Sequence, residues 1–275
     1  MENKRKDTLP KNHEFNLSDF ALFLSVMKNK EAYQCVLSII MDETNLELTE
    51  VKVEQVILNK KGLRAIRLDA WAMDLNNRQF NIEMQNDVTG DNMRKRARFQ
   101  QGLMDSPILK SGKNTKYKEL PATIIIFITQ EDIFDKDLTK YTFIERCVEV
   151  ADLDLDDGTQ KIFLNMKSKN GREELVSLLQ YMKHTTLDNP DVTVKDQRII
   201  RLDEIVSEVK RSEEWEEVRM NIYDMGIERG IERGIELLNR LYLQLIEDKR
   251  YEDIERVARD DEYREQLFQE YGIEN

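Results

Sequence analysis

Residues 66–85 read IRLDAWAMDLNNRQFNIEMQ, and this stretch predicts two antiparallel β-strands joined by a tight turn. The predicted strands are Ala65–Asp74 and Arg78–Met84, which are largely apolar and contain β-branched and aromatic residues. The turn between them is Leu-Asn-Asn, and Asn is the residue other than Gly that best tolerates a left-handed backbone conformation. The stretch therefore predicts a three-residue loop with Asn77 in that conformation.

A loop of this length fixes which residues of the two strands face each other. Asp74 pairs with Arg78, and counting back along both strands places Asp69 directly opposite Glu83. Directly opposed residues share a face of the sheet, and Gln85 joins them because side chains alternate along a strand. A two-residue loop would place the two acids on opposite faces.

Two carboxylates on one sheet face, about 5 Å apart, repel each other unless a positive charge neutralises them. Mg²⁺ takes oxygen ligands and is often held by one or two carboxylates together with a substrate phosphate. One interpretation is therefore that Asp69 and Glu83 hold a divalent cation. The alternative is that Asp69 pairs with Arg67 or Arg64 and that Glu83 is an exposed strand residue. Spacing alone leaves both interpretations open.

The residues around this hairpin predict a compact α/β unit with a mixed sheet. One or two helices are expected over Leu17–Ile40, and a basic helix over Asn92–Leu103. The apolar run ATIIIFIT after Pro121 predicts a strand that is buried on both faces. Further strands are expected over Glu50–Leu58, Tyr141–Glu149 and Gln160–Met166, the last two at sheet edges.

The pattern becomes helical from Gly171 and stays helical. This change predicts a first domain over residues 1–170 and a helical C-terminal region over residues 171–275. Residues 226–236 repeat with a period of four, GIERGIERGIE. The repeat is interpreted either as an oligomerisation seam or as a merely permissive segment. The other predicted helices are Glu173–Lys183, Asp203–Arg219, Leu237–Ile246 and Ile254–Phe268.

The composition excludes several classes of site. The 275 residues include two Cys and two His, and the two Cys do not form a CxxC pair. A disulfide framework, a thiolate zinc site, a Ser-His-Asp triad and an HExxH site therefore lack the necessary residues. No apolar segment approaches the roughly 20 residues needed to cross a bilayer, and we expect no secretion signal. We expect a cytoplasmic protein whose hydrolytic chemistry, if present, depends on carboxylates.

The net charge of -12 is unevenly distributed along the chain. Residues 1–120 carry 20 Lys or Arg and 17 Asp or Glu, whereas residues 121–275 carry 22 and 37. Residues 86–118 contain eight Lys or Arg against three Asp. This local excess is typical of either a solvated helix face or a surface that contacts phosphates. The candidate nucleic-acid-binding residues are Arg94, Lys95, Arg96 and Arg98.

The segment RLDAWAMD followed by FNIEMQ resembles the D…ExQ variant of the PD-(D/E)XK nuclease motif, as found in the Rpn family of recombination-promoting nucleases and related transposases. The resemblance covers most of the chain. It includes the opening helices SDFALFLSVMKNKEAYQCVLSII, the middle segment that ends in ELPATIIIFIT, the later strands, and the GIERGIE repeat. It implies a restriction-endonuclease-like core with a mixed central sheet flanked by helices, followed by an all-helical tail.

The resemblance also implies roles for individual residues. Asp69 and Glu83 match the metal-binding acids, and Gln85 stands where the general motif has Lys. A Gln can form hydrogen bonds but carries no charge, so a basic residue of the following helix is a candidate to supply it. The family fold often has an acid on its first helix, for which Asp19 and Glu31 are both candidates.

The implied function is a metal-dependent DNA endonuclease that uses Mg²⁺ or another divalent cation and hydrolyses phosphodiester bonds. Its implied setting is recombination or transposition in a bacterial cytoplasm. The competing hypothesis is a catalytically inactive protein that uses the same fold as an interaction module and forms homo-oligomers through its C-terminal helices. No membrane partner is expected.

Overall fold

The computed structural model describes residues 14–57, 65–86, 90, 92–108 and 116–273, without the side chains of 228–232, 255, 258 and 261. Parts of the basic stretch 86–118, and His13, lie outside the described residues. The centre of the fold is a six-stranded sheet in the order β1-β2-β3-β4-β6-β5. Its strands are β1 Leu48–Ile57, β2 Ile66–Asp74, β3 Arg78–Gln85, β4 Ala122–Thr129, β5 Lys140–Phe143 and β6 Thr159–Asn165.

The hairpin between β2 and β3 has the predicted loop and register. Asn77 has a φ of 58°, in the left-handed region, and its N–H donates to the Asp74 carbonyl at 3.1 Å. A second hydrogen bond closes the turn: the backbone N–H of Arg78 donates to the Asp74 carboxylate at 2.8 Å. The paired residues run from Met73 with Gln79 to Ala70 with Ile82. The three-residue loop is therefore confirmed.

A crossover joins β3 to the parallel strand β4 through helix α3, Met93–Asp105. Helix α3 begins at Asn92, whose side chain accepts a hydrogen bond from the Lys95 N–H at 3.0 Å. Its apolar side packs on the sheet face that carries the two acids. The core there includes Trp71, Met93, Ala97, Met104, Ile125, Phe127 and Phe163. Helix α3 is thus held against the acids by its own buried side chains.

Helices also precede and follow the sheet. The predicted segment 17–40 forms two helices, α1 Phe20–Met27 and α2 Lys30–Met41, which pack against β1. The fully buried Tyr33 hydroxyl donates to the Ala70 carbonyl at 2.9 Å. Helix α5, Gln197–Lys210, packs against α2, and helix α4, Glu173–Lys183, does the same. The mixed sheet flanked by helices is as predicted.

The sequence prediction was wrong about the edge of the sheet. Strand β6 lies between β4 and β5, so only β5 is at this edge. Residues 162–164 of β6 are all buried, which is typical of an interior strand covered on both faces. Strand β5 covers only the start of the predicted segment Tyr141–Glu149, and the chain beyond it forms a bridge between Arg146 and Asp154.

The C-terminal helices differ in extent from the prediction. The predicted helix Asp203–Arg219 is divided, because α5 ends at Lys210 and α6 begins at Glu213. The Ser212 side chain accepts a hydrogen bond from the Trp215 N–H at 3.2 Å, as expected at a helix start. Helix α6, Glu213–Glu247, contains the whole GIER repeat.

The chain forms two compact units, Phe15–Trp215 and a unit that includes Glu216 onward. Helices α4 and α5 therefore pack in the same unit as the sheet, whereas the sequence suggested a boundary at 170/171. The second unit contains the rest of α6 with α7, Tyr251–Arg259, and α8, Asp261–Glu270. Its core consists of Leu241, Leu245, Val257 and Leu267.

Candidate active site

Asp69 on β2 and Glu83 on β3 lie on the same face of the sheet, and both are buried. Their exposed fractions are 5% and 0%. The backbone register between the strands ends at Ala70 and Ile82, one pair before the acids. Beyond it the carboxylates take over as acceptors: the Asp69 N–H donates to Glu83 Oε1, and the Met84 N–H donates to Asp69 Oδ2, each at 3.2 Å. The two carboxylates are thus interlocked across the end of the hairpin.

Arg96 of α3 connects Glu83 to Gln85. Its Nη2 donates to Glu83 Oε2 at 2.8 Å, and its Nη1 donates to Gln85 Oε1 at 3.1 Å. The other oxygen of Glu83 accepts from Asn81 Nδ2 at 2.8 Å. A single guanidinium therefore holds the carboxylate of Glu83 and the side-chain amide of Gln85 together.

The charges at this site are unbalanced. Burial, and next the negative charge of Glu83, raise the pKa of Asp69 to about 7, although the Met84 N–H, Arg96 and Arg67 act in the opposite direction. Removing a carboxylate from water disfavours its ionised form, and a nearby like charge adds to this effect. The site therefore favours an additional positive charge near Asp69 at neutral pH.

A cleft of about 510 Å³ opens beside Asp69. Its lining includes Arg67, Asp69, Lys95, Arg96, Phe99 and Gln100. Arg94 is directed elsewhere, because it donates to the Ile133 carbonyl at 2.9 Å and lies 4.6 Å from the centre of the Phe134 ring. Arg98 is exposed. Of the four predicted basic residues, Lys95 and Arg96 thus line the cleft, and Arg96 contacts Glu83.

The two candidate acids of the first helices are in different places. Glu31 forms two hydrogen bonds with the Arg201 guanidinium, at 2.9 and 2.8 Å, and this pairing lowers the pKa of Glu31. Asp19 precedes α1 near the C-terminal end of β3, since the neighbouring Ser18 carbonyl accepts from Asn86 Nδ2 at 3.0 Å. Of the two acids, Asp19 is therefore the one whose neighbour contacts the residue next to Gln85, and its own carboxylate accepts from the Asn16 N–H at 2.7 Å.

Two polar residues of the site were missed by the sequence analysis. Asn81 contacts Glu83 and is completely buried, and Gln100 lines the cleft and is 2% exposed. Strand alternation could have identified Asn81, which lies two residues before Glu83. Helical spacing could have identified Gln100, which lies four residues after Arg96. Such spacings alone carry little weight, because Asn and Gln also occur at many solvated positions.

The oxygen atoms at the site fit a hard divalent cation. Among the described residues, Asn81 Oδ1 and Gln100 Oε1 are buried without a hydrogen-bond donor. Carboxylate and amide oxygens are of the type that Mg²⁺ prefers. No cluster of three or more His, Cys, Asp or Glu suited to a metal occurs in the described part of the chain. A cation here would rely on two carboxylates, and waters or a substrate would complete its shell.

The comparison with protein families is decisive for the identity of this fold. The family described as PD-(D/E)XK nuclease family transposase matches residues 18–264. The chain belongs to this family. The searches of curated proteins and of solved structures gave no significant match. The expected resemblance is therefore confirmed for nearly the whole chain, including the hairpin that carries the acids.

Membership of the PD-(D/E)XK nuclease family has direct consequences for function. It supports a nuclease or transposase-like role with nucleic acid as the substrate class. PD-(D/E)XK nucleases generally use divalent metal ions. Within the described residues, no helix combines the length and the apolar character that crossing a membrane requires.

Proposed function

We propose that this PD-(D/E)XK transposase-family chain is a metal-dependent DNA endonuclease that hydrolyses phosphodiester bonds. The observation that carries the proposal is the pair of buried carboxylates, Asp69 and Glu83, on one sheet face beside an open cleft. Burying two interlocked acids is costly unless a cation compensates for them. Such a pair is more useful as a ligand set than as a structural element.

Asp69 and Glu83 would hold the cation, with Mg²⁺ the best match to their hard oxygen atoms. When bound, a divalent cation neutralises the acids, activates water and stabilises the negative charge that develops on the phosphate. Gln85 would orient the attacking water, because its amide can both donate and accept a hydrogen bond. Arg96 and Lys95 in the cleft would contact the phosphate oxygens of the DNA backbone.

The test of this proposal is nicking of supercoiled plasmid by the full chain. We expect open circles to accumulate with MgCl₂ or MnCl₂, and no nicking in EDTA. Nicking that persists in EDTA would contradict the metal dependence. If neither cation supports nicking, the endonuclease assignment is wrong.

A second candidate is a catalytically inactive interaction module. The observation in its favour is that Arg96 already neutralises Glu83 at 2.8 Å, so the buried acid has an internal partner. The presence of Gln85 in place of a charged Lys points the same way. The plasmid assay separates the two candidates, since the interaction module predicts no cleavage with any cation.

The setting that we propose is DNA recombination or transposition in a bacterial cytoplasm. We also propose that the C-terminal helices support homo-oligomers. The support for this part is helix α6, on which Met225, directly before the repeat, and Ile235, within it, are about half exposed. Sedimentation of the full chain tests it, and a monomer at all concentrations would contradict it.

We expect the first-helix acid to be Asp19 and not Glu31. Asp19→Asn is expected to lower the nicking rate about tenfold, as for other residues that support a metal site from outside its ligands. Glu31→Gln is expected to keep the wild-type rate, because Glu31 is paired with Arg201 at 2.8 Å. Initial rates of plasmid nicking at saturating Mg²⁺ measure both. Equal losses in both variants would contradict the choice.

A further inference from the structure

Arg96 donates a hydrogen bond to the oxygen atom of Glu83 that a bound cation would need. Glu83 Oε1 already accepts two hydrogen bonds, from the Asp69 N–H and from Asn81 Nδ2. A carboxylate oxygen offers about two acceptor sites, so Oε1 is saturated. Glu83 Oε2 is the remaining oxygen, and the Arg96 guanidinium donates to it at 2.8 Å.

We propose that Arg96 is the internal counter-ion of the metal-free site and that it exchanges with the divalent cation. In the exchange, the guanidinium would leave Glu83 Oε2 and Gln85 Oε1, and Glu83 Oε2 would then be free to hold the cation. The proposal rests on the proposed function, because it assumes that Asp69 and Glu83 are the metal ligands. It adds a residue that opposes metal binding in the free protein.

The surroundings of Arg96 allow this movement. Its side chain is 29% exposed and lines the cleft, whereas the Glu83 side chain is completely buried. Met93 and Ala97 anchor α3 on the core, so the helix stays in place when the guanidinium turns outward. The guanidinium remains charged at any accessible pH, and Arg96 therefore leaves Glu83 without gaining or losing a proton itself.

The position that Arg96 reaches after the exchange explains how a site without the motif Lys can function. Lys95 and Arg96 line the same cleft, in which a DNA backbone would lie beside Asp69. A guanidinium released there can bind two phosphate oxygens at once. One side chain thus neutralises Glu83 in the free protein and the phosphate in the complex.

Calorimetric titration of the full chain with MnCl₂ alone, without DNA, tests the exchange. We expect Arg96→Gln to bind Mn²⁺ about tenfold more tightly than the wild type, because a charge-assisted hydrogen bond no longer competes. Arg94→Gln is the matched control. It removes the same charge from the same helix, but Arg94 contacts Ile133 and Phe134 and not the acids. Its affinity for Mn²⁺ is expected to stay within about twofold of wild type.

A second variant keeps the proposal testable if Arg96→Gln folds poorly. Arg96→Lys retains the charge but loses the planar fork, so its Mn²⁺ affinity is expected between those of wild type and Arg96→Gln. Thermal melting is the second readout. Mn²⁺ is expected to raise the melting temperature of Arg96→Gln by more than that of wild type, because the metal-free variant leaves Glu83 without its counter-ion.

Equal Mn²⁺ affinity in wild type and Arg96→Gln would overturn the exchange, as would equal tightening in the Arg94→Gln control. If either outcome came with Mg²⁺-dependent nicking by the wild type, the exchange would be wrong and the proposed function would still stand. Tighter Mn²⁺ binding by Arg96→Gln without nicking by any form would support the exchange and contradict the nuclease assignment. An absence of Mn²⁺ binding in every form would overturn both.

Discussion

Replacing Glu83 with Gln is expected to lower the rate of Mg²⁺-dependent plasmid nicking by about 10²-fold or more. Glu83 is completely buried, and its carboxylate is fixed by Asn81, Arg96 and the Asp69 N–H. The substitution preserves the size of the side chain but removes the charge that attracts the cation. Initial rates at saturating Mg²⁺ measure the loss.

Asp69→Asn is expected to cause a loss of similar size. Because the two acids act together on one cation, the double variant is expected to be no slower than the slower single variant. Glu50→Gln is the matched control: Glu50 lies on the neighbouring strand β1, is exposed, and pairs with Lys52 at 2.7 Å. It removes one acid from the same sheet without touching the site.

The interpretation of these rates requires folded variants. In Glu83→Gln the new amide can direct an N–H towards Arg96, which leaves two donors facing each other and destabilises the site. Asp69→Asn avoids this problem, because the Asn oxygen can still accept from the Met84 N–H. If folded Asp69→Asn and Glu83→Gln both keep more than a third of the wild-type rate, the catalytic assignment is wrong.

The hairpin is the part of the fold that the sequence predicts best, because its geometry is local. Asn77 fixes the loop, the loop fixes the register, and the register brings Asp69 and Glu83 to one face. Each step follows from the covalent chain and from the period of two along a strand. The apolar run of β4 is equally informative, since every residue from 123 to 129 is buried.

The order of the distant strands was not predictable in the same way. Strand β6 is inserted between β4 and β5, and this arrangement depends on pairing between residues more than 30 positions apart, such as Ile126 and Ile162. No local turn sets that register. The break between α5 and α6 also depends in part on a tertiary contact. Trp215 packs edge-on against Phe15, which lies at the other end of the unit in sequence, with ring centres 5.1 Å apart.

The partner of Glu83 was only partly predictable. The sequence offered four basic residues on one helix, and helical periodicity cannot decide which of them faces the sheet. The buried side of α3, with Met93 and Ala97, sets the rotation of the helix and brings Arg96 to Glu83. Arg94, two residues earlier, turns towards the loop that follows β4. Packing, and not charge, selects the residue.

The stability of the metal-free protein is expected to depend on pH through Asp69. Its pKa is raised to about 7 in the folded protein, from an ordinary value near 4, by burial and by the charge of Glu83. Between these values the unfolded chain has released a proton that the folded protein retains. The free energy of unfolding contributed by this group is therefore present at low pH and falls as the pH rises from about 4 to about 7.

Asp69→Asn removes this dependence, since an amide does not titrate. In EDTA, the variant is expected to match the wild type near pH 4.5 and to exceed it at pH 8 by on the order of 2–4 kcal/mol. Urea unfolding at several pH values measures both proteins. The Glu50→Gln control is expected to differ from the wild type by an amount that does not change with pH, because Glu50 is exposed. A gap for Asp69→Asn that is constant or shrinks towards pH 8 would contradict the prediction.

The same measurement with Mg²⁺ joins stability to function. A ligand that binds only the folded state stabilises that state. The stabilisation grows with the logarithm of the ratio of the ligand concentration to the dissociation constant, once this ratio is well above one. Mg²⁺ is expected to stabilise the wild type at pH 8, where Asp69 is ionised, and to have little effect near pH 4.5, where a proton must first be displaced. Asp69→Asn lacks this carboxylate and is expected to gain little from Mg²⁺ at either pH. If Asp69 and Glu83 bind a cation, the metal-free protein loses stability at pH 8 and Mg²⁺ restores that stability at the same pH. An acid pair kept for structure alone would gain no stability from the cation.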